Sequence, residues 1–270
     1  MRPTFQTLAT AFAGICCLCF SSVSNGQGLI HSLPEDGMAV EYEGTMVQST
    51  NEQDQNPLTW TSELTIKSVG QERAEYQGRE ENCRWIEIKV VTGTSTAAGL
   101  DPGPVGQRIY KVLVPESKVI SEPVDASTIP NHMLPIVKGY RREGEGETVE
   151  IRSGALVFYP LICRLRNYDE PEVIAESDTP EILASDLSIT AKKLKGRMVM
   201  ERQESRSTNE AEYWVSRDVP FGLAAWVVTD VREEKTATEP RDQFRTVTIV
   251  RSEMKLRAIR DSAESELATP

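Results

Sequence analysis

The sequence predicts an α+β fold in which a strongly curved antiparallel β-sheet, an incomplete barrel, carries a mid-chain helical insertion packed on its concave face. Three observations lead to this prediction. Segments of alternating apolar and polar residues lie on both sides of the middle of the chain, the middle is punctuated by prolines and does not alternate, and a late hairpin is apolar on both faces. An antiparallel sheet closed on one side by helices buries one-sided apolar stripes of this kind.

Four strands are predicted before the middle of the chain. In residues 40–46 the apolar side chains occupy even positions, and in residues 58–67 they alternate with Thr, Glu and Lys. Residues 83–90 repeat the alternation, and residues 109–114 form another strand candidate that ends at Pro115. A period of two residues is typical of a strand with one buried and one solvated face.

The middle of the chain, about residues 123–190, is predicted to be the helical insertion. Six prolines interrupt it, and its apolar residues no longer alternate. Residues 127–140 and 153–166 are helix candidates, and Thr-Pro-Glu at 179–181 offers an N-cap followed by a proline at the first helical position.

Residues 213–228 predict a β-hairpin, because two runs rich in Val, Trp and Tyr flank the sequence Val-Pro-Phe-Gly. Proline fixes φ at the second position of a turn, and glycine supplies a left-handed residue. Pairing of Val219 with Leu223 would place Trp214 and Trp226 on one face of the hairpin.

The end of the chain returns to strands. Residues 197–201 and 244–254 are strand candidates, although residues 252–260 could instead form a helix. The acidic end, residues 261–270, is predicted to be disordered. No second domain is indicated, so residues 25–270 are predicted to form a single β-rich half-barrel domain.

Residues 1–24 have the features of a secretory signal peptide. One early positive charge, Arg2, precedes a short apolar core at 8–20, and small polar residues follow it. This order predicts export to the periplasm or secretion. The apolar core is short for a membrane span, so cleavage is favoured over an uncleaved anchor, and no stable membrane span is expected after it.

The charge of the chain bears on its partners. The formal net charge is −11, and removal of Arg2 with the signal peptide makes it −12. Nucleic-acid binding depends largely on Lys and Arg that displace counterions, so a chain this acidic argues against a nucleic-acid partner.

Two cysteines remain after signal cleavage, Cys83 and Cys163. An even number of cysteines in an oxidising compartment suggests one disulfide, which would stabilise the fold by roughly 4 to 5 kcal/mol in the chain-entropy model. Two buried free thiols are the alternative.

The sequence offers little for catalysis. It lacks a Gly-x-Ser-x-Gly elbow, and its two histidines, His31 and His132, are isolated from other candidate catalytic residues. No zinc or calcium spacing occurs, so no catalytic residue, metal site or cofactor is predicted. The basic residues of 192–197 are either a solvated strand or a site for an anionic head group.

The arrangement of a strand meander, mid-chain helices and the hairpin Tyr-Trp-Val-Ser-Arg-Asp-Val-Pro-Phe-Gly resembles the periplasmic lipoprotein-carrier superfamily. In that superfamily helices lid a strongly bent, incomplete barrel around an apolar cavity. The resemblance implies a non-catalytic protein that binds a lipid or a lipoprotein acyl chain between sheet and helices. The implied ligand-binding residues are Trp60, Leu64, Ile66, Ile86, Ile88, Met198 and Met200.

The same apolar stripes also allow a second function, a secreted structural or protein-interaction domain with a filled core and no small-molecule ligand. The size of the interior separates the two predictions. A dry cavity of roughly several hundred Å³ favours the binder, and an interior filled by side chains favours the interaction domain.

Overall fold

The computed structural model describes residues 28–50, 56–97, 99–103, 106–119 and 133–268, and it shows an all-β fold. The predicted signal peptide at 1–24 lies outside the described residues. The strands are β1 (Ala39–Ser49), β2 (Leu58–Tyr76), β3 (Arg79–Thr96), β4 (Gly99–Asp101), β5 (Gln107–Pro115), β6 (Met133–Pro135), β7 (Lys138–Glu143), β8 (Val149–Glu150), β9 (Ala155–Val157), β10 (Glu172–Asp178), β11 (Ala191–Glu201), β12 (Ser205–Val215), β13 (Leu223–Glu234) and β14 (Arg245–Arg260). The helical elements are α1 (Glu116–Val119) and two 3-10 turns, Pro220–Gly222 and Arg241–Gln243.

Twelve of the strands form one antiparallel sheet that does not close. Its order is β10-β11-β12-β13-β14-β1-β2-β3-β5-β7-β8, with β4 paired to β3. Strands β6 and β9 form a separate two-stranded sheet. The last long strand, β14, pairs with β1, so the two ends of the described chain meet in the middle of the sheet.

The predicted α+β class is wrong, because the described part of the mid-chain insertion, residues 133–190, forms no helix. Strands β6 and β7 occupy the described part of the first helix candidate, and the second candidate contains β9 followed by an irregular segment. Residues 179–185 are irregular as well. The prolines explain this result: each removes a backbone donor and clashes with the preceding helical turn, so apolar residues between them pack singly against the sheet.

The strands predicted before the middle are confirmed in β1, β2, β3 and β5, and the alternation sets which side chains point to the core. The core-facing side is called the inner face below. Strand β14 continues to Arg260, so the alternative of a helix over 252–260 is wrong.

The tryptophan hairpin forms, but its predicted register is wrong. Trp226 pairs with Tyr213, and Trp214 pairs with Ala225, so the two tryptophans lie on opposite faces. The closing loop is longer than predicted, because the last pair joins Val215 to Leu223. The residues between them include a 3-10 turn at Pro220–Gly222. Burial of the whole Pro-Phe-Gly turn stabilises this wider loop.

The inner face carries one hydrophobic core that draws on both halves of the sheet. Buried side chains of β1, β2, β3 and β5 pack with those of β12 to β14 in the same cluster. Leu29 and Ile30 from the start of the described chain, and Phe158 and Leu165 from the middle, complete it. Since both strand sets and loops fill the same space, the core contains protein rather than a large void.

The chain end lies against the outer face of β2 and β3. It was expected to be disordered, yet Leu267 is fully buried and the backbone N–H groups of Glu266 and Leu267 donate to Glu87 at 3.0 Å. The acidic composition of this segment misleads, because its backbone N–H groups bond Glu87 and the Glu266 carboxylate pairs with Lys67 and Lys89. Among the described helices, none is long and apolar enough to cross a membrane.

Candidate functional site

Residues 158–168, called the covering segment, lie across the inner face where helices were predicted. Phe158 and Tyr168 at its two ends are buried, and the amide of Ile162 donates to the carbonyl of Phe158 at 2.8 Å. The ring of Tyr168 rests on Gly196 of β11, where a Cβ atom would lie 2.2 Å from the ring. Only glycine leaves room for this contact, so Gly196 positions one end of the covering segment.

A buried polar network fastens the same end to β12 and β13. The Tyr168 hydroxyl donates to Oδ1 of Asn209, whose Nδ2 donates to Asp230 at 2.7 Å and to the carbonyl of Arg164 at 3.1 Å. Nη1 of Arg164 donates to Asp230 at 3.3 Å. These bonds satisfy the carboxylate of Asp230 and fix the direction in which Arg164 enters the inner face.

Four of the predicted ligand-binding residues belong to the filled core. They are Leu64, Ile66, Ile86 and Ile88, and each is at most 2% exposed. The structure brings these four together as predicted from their alternation, but their surroundings are protein side chains. A lining of this kind leaves no space for an acyl chain.

The other three predicted residues are not fully buried, although Met198 packs against the edge of the same core. Trp60 and Met198 are half-buried, and Met200 is 47% exposed. The sulfur atoms of Met198 and Met200 lie 3.8 and 3.9 Å from Nη1 of Arg166. The two methionines therefore contact a guanidinium rather than an apolar cavity.

A small cleft of about 30 Å³ remains between the covering segment and the sheet. Drug-sized ligands occupy roughly 300–1,000 Å³, so the cleft is about ten times too small for them. Apolar side chains and donor groups share its walls. The lining residues are Met46, Ser62, Leu64, Val90, Thr92, Arg108, Pro160, Leu161, Ile162, Cys163, Arg164, Trp226, Ser252 and Met254.

Unpaired donors gather around this cleft. Six buried side-chain polar atoms in the described part of the chain have no hydrogen-bond partner, and all six carry N–H groups. They are Nε of Arg108, Arg142, Arg164 and Arg166, Nδ2 of Asn167 and Nε1 of Trp226. An unpaired buried donor costs about 1–3 kcal/mol, so a cluster of them calls for an explanation.

Three of the six unpaired groups belong to residues that line the cleft, namely Arg108, Arg164 and Trp226. Trp226 is fully buried, with its ring against that of Tyr42 at 4.9 Å between centroids. Since the indole nitrogen can only donate, it needs an acceptor.

A further guanidinium group of the covering segment belongs to Arg166. Arg166 stacks on the ring of Tyr159 with 3.4 Å between its Cζ and the ring centroid. Its Nε is buried and unpaired, and its Nη1 lies against the two methionine sulfur atoms. Cation–π stacking stabilises Arg166 without neutralising its charge, so the covering segment remains positively charged.

The predicted disulfide between Cys83 and Cys163 is wrong, because both are free thiols. Alternation along β3 places Cys83 on the face opposite Ile86 and Ile88, whereas Cys163 is part of the inner core. The sheet therefore separates the two sulfur atoms. Burial raises the pKa of Cys163 to about 12, and burial also raises the pKa of Cys83.

The remaining candidates for chemistry are structural in character. His31 is half-buried, its Nε2 lies 3.1 Å from the carbonyl oxygen of Gly28, and burial lowers its pKa to about 4. His132 lies outside the described residues. Within the ranges that the structure describes, no group of three or more His, Cys, Asp or Glu could hold a metal ion.

The basic residues of β11 are ion-paired with acidic neighbours. Lys193 lies 2.9 Å from Glu212, and Arg197 lies 2.8 Å from Glu210. This pairing favours the solvated strand over the anionic head-group site. The arginines with buried, unpaired Nε atoms lie elsewhere, in segments without a sequence motif.

No protein-family model matches the chain, and no curated protein is significantly similar to it in sequence. The site therefore has to be understood from its own geometry. Sequence reasoning missed Arg108, Arg164 and Trp226 as a group, although one signal was present: Arg108 interrupts the apolar positions of its strand at an inward place.

Proposed function

We propose that this protein is an exported, non-catalytic binding protein that holds a small ligand in the cleft between its sheet and the covering segment. The observation that carries the proposal is the set of unpaired donors of Arg108, Arg164 and Trp226 around one cleft. Protein interiors rarely leave such groups unpaired unless a ligand or solvent completes them. Periplasmic or secreted location is part of the proposal and is supported by the features of residues 1–24.

The ligand is small in this proposal, in contrast to the acyl chain that the sequence suggests. The cleft has a volume of about 30 Å³, and the aliphatic residues beneath it are packed by the core. At most the polar end of a longer molecule would enter. Kinship with the lipoprotein carriers stays a prediction, which an open antiparallel sheet supports and the filled interior does not.

Two features support a non-catalytic role. The thiol of Cys163 has its pKa raised to about 12 by burial, so thiolate chemistry at neutral pH is suppressed. The imidazole of His31 has its pKa lowered to about 4 and lies against backbone rather than beside a nucleophile. Both groups behave as packing residues.

The proposal is tested by NMR on the side-chain indole of Trp226. Its ¹H–¹⁵N resonance is assigned by its loss in Trp226→Phe, and the wild type is titrated with butyrate, butanol and butylamine, which share a chain but differ in charge. We expect a saturable shift with at least one of the three. A resonance that none of them moves would contradict binding in the cleft.

A second candidate function, the protein-interaction domain, is favoured by the free edge of the sheet at β10. Val173 and Ile174 on this edge are 43% and 45% exposed, and Glu172 and Glu176 beside them are exposed acids. An extended basic segment of another protein would pair with such an edge by strand addition.

The edge is tested by placing a photo-crosslinking residue at 174 in the producing cell, with the exposed Leu58 as the matched position. We expect a discrete adduct at 174 that disappears when Val173→Pro is added. Equal labelling at both positions would remove the edge as a docking site.

A further inference from the structure

We infer that the ligand of the cleft is a small carboxylate, held by the guanidinium groups of Arg108 and Arg164 and by the indole N–H of Trp226. This inference rests on the proposed function and names its ligand class. Charge, hydrogen-bond polarity and size lead to it independently.

The charge of the cleft is positive. Two arginines line it, and no aspartate or glutamate does. Asp230 pairs with Arg164 from outside the cleft at 3.3 Å, which leaves the charge of Arg108 in excess. An opposite charge placed between the two guanidinium groups would be stabilised by both, and the low polarity of the walls strengthens that attraction.

The hydrogen-bonding groups of the cleft are dominated by donors. The indole of Trp226 and the guanidinium groups can only donate, while the hydroxyls of Ser62, Thr92 and Ser252 can act in either sense. A water molecule would accept from some of these groups but would bring two hydrogens that need acceptors. A carboxylate brings only acceptors, and its two oxygens offer about four lone-pair positions.

The size and the apolar walls select the kind of anion. A volume of about 30 Å³ accommodates a carboxylate group but not a bulky phosphate ester or a whole acyl chain. Leu161 is 45% exposed, and with Met46 it gives the cleft apolar walls that would contact a short hydrocarbon. The same head group could come from a free short acid or from the end of a fatty acid.

Guanidinium and carboxylate groups match in geometry as well as in charge. Arginine presents N–H groups in a planar fork, and charge-assisted bonds to carboxylates are among the stronger hydrogen bonds in proteins. The Nε atoms of Arg108 and Arg164 are both buried and unpaired, so each retains a donor for this purpose. The network around Asp230 holds Arg164 in place before any ligand arrives.

The inference is tested by titrating ¹⁵N-labelled protein with sodium butyrate at constant ionic strength and following the Trp226 indole resonance. We expect a saturable shift, and we expect Arg108→Gln and Arg164→Gln each to weaken affinity at least tenfold. Arg142→Gln is the matched control, since its Nε is equally buried and unpaired but it does not line the cleft. This control should bind as the wild type does.

Three further arms separate the outcomes. Butanol and butylamine should leave the resonance unmoved; a shift with either of them alone would overturn the carboxylate inference while the proposed small-ligand function survives. If none of the compounds shifts the Trp226 resonance, both the carboxylate inference and the proposed small-ligand function fail. Acetate and octanoate distinguish the sources, because tighter binding of octanoate indicates a longer acid and equal binding indicates recognition of the head group alone.

The variants need a check of their fold, because Arg164 also bonds Asp230. Backbone resonances away from the cleft report this directly. If Arg164→Gln unfolds the protein, the affinity of Arg108→Gln alone tests the inference. Arg108 is suited to this, because its Nε has no partner in the described structure. Unchanged affinity in a folded Arg108→Gln would contradict the inference.

Discussion

Two charged centres on opposite faces of the sheet differ in how their hydrogen-bonding groups are paired. On the outer face, Glu87 is fully buried and accepts bonds from Nζ of Lys67 at 3.2 Å, Oγ of Ser265 at 2.6 Å and two backbone N–H groups at 3.0 Å. On the inner face, the guanidinium groups of Arg108 and Arg164 keep unpaired donors. The anion is saturated by the protein itself, and the cations are not.

This difference separates a structural centre from a binding centre. Glu87 fastens the end of the chain to β3, and its oxygens have no capacity left for a ligand. The cleft has the converse property, since its donors exceed its acceptors. Internal partners therefore complete the buried charged group on the outer face, whereas on the inner face the buried Nε donors of Arg108 and Arg164 lack a partner.

The largest expected effect is at Glu87. Glu87→Gln removes the charge that Lys67 faces and turns an N–H group toward backbone donors, so we expect a loss of about 3–5 kcal/mol in the free energy of unfolding. Urea unfolding measures it. Glu80→Gln is the control, because Glu80 is exposed and forms an ion pair with exposed Arg73, and it should change stability by less than about 1 kcal/mol. A similar loss of stability in Glu87→Gln and Glu80→Gln would mean that the buried contacts of Glu87 stabilise the fold no more than an exposed ion pair does.

The second-largest effect is expected at Gly196, where the Tyr168 ring of the covering segment contacts β11. Gly196→Ala drives a Cβ atom to 2.2 Å from the Tyr168 ring, so we expect a loss of about 1–3 kcal/mol in the free energy of unfolding. At Gly154 a Cβ atom meets nothing within 4 Å, and Gly154→Ala should have little effect. Equal stability of the two variants would show that the covering segment does not press on β11.

A smaller effect, with a sign that distinguishes the two centres, is expected at Arg108. Arg108 is half-buried, and its Nε is buried without a partner. Replacing it by an apolar side chain of similar length removes the desolvation cost of that donor, so Arg108→Met should leave the ligand-free protein equally stable or stabilise it by up to about 1 kcal/mol. Thermal and urea unfolding without carboxylate give the answer. Destabilisation by several kcal/mol would mean that Arg108 is already satisfied.

The smallest expected effect is on pH dependence at the chain end. Burial raises the pKa of Glu266, but hydrogen bonds from Lys67 and Lys89 outweigh burial and hold this pKa below its ordinary value of 4.5. A carboxyl group with a lowered pKa in the folded state stabilises it above pH 4.5, and this contribution is lost as pH falls through the folded-state value. Glu266→Gln should therefore reduce the acid sensitivity of unfolding slightly, and an unchanged pH profile would contradict this.

Much of the sheet could be predicted from local sequence, because alternation is a property of neighbouring residues. Residues 40–46, 58–67, 83–90 and 109–114 became strands with the expected faces inward. The helices failed, because isolated apolar residues between prolines fit both a broken helix and an irregular segment. Tertiary packing on the sheet decided between them.

The candidate site could be predicted only in part. Leu64, Ile66, Ile86 and Ile88 share the inner face as alternation requires, but whether a core is hollow or filled depends on what covers it. The hairpin register failed, because the loop geometry at Phe221, with φ of 62°, is stabilised by distant residues such as His31, whose backbone N–H donates to the Phe221 carbonyl. The placement of Arg108 and Arg164 at the same cleft likewise depends on the topology of the chain and could not be read from local sequence.

The most direct test of the central claim is a crystal structure determined from crystals grown with sodium butyrate. The account predicts electron density for a carboxylate within about 3 Å of Nε1 of Trp226 and of the guanidinium groups of Arg108 and Arg164. Density for ordered water alone at these three groups, with butyrate absent from the cleft, would contradict it.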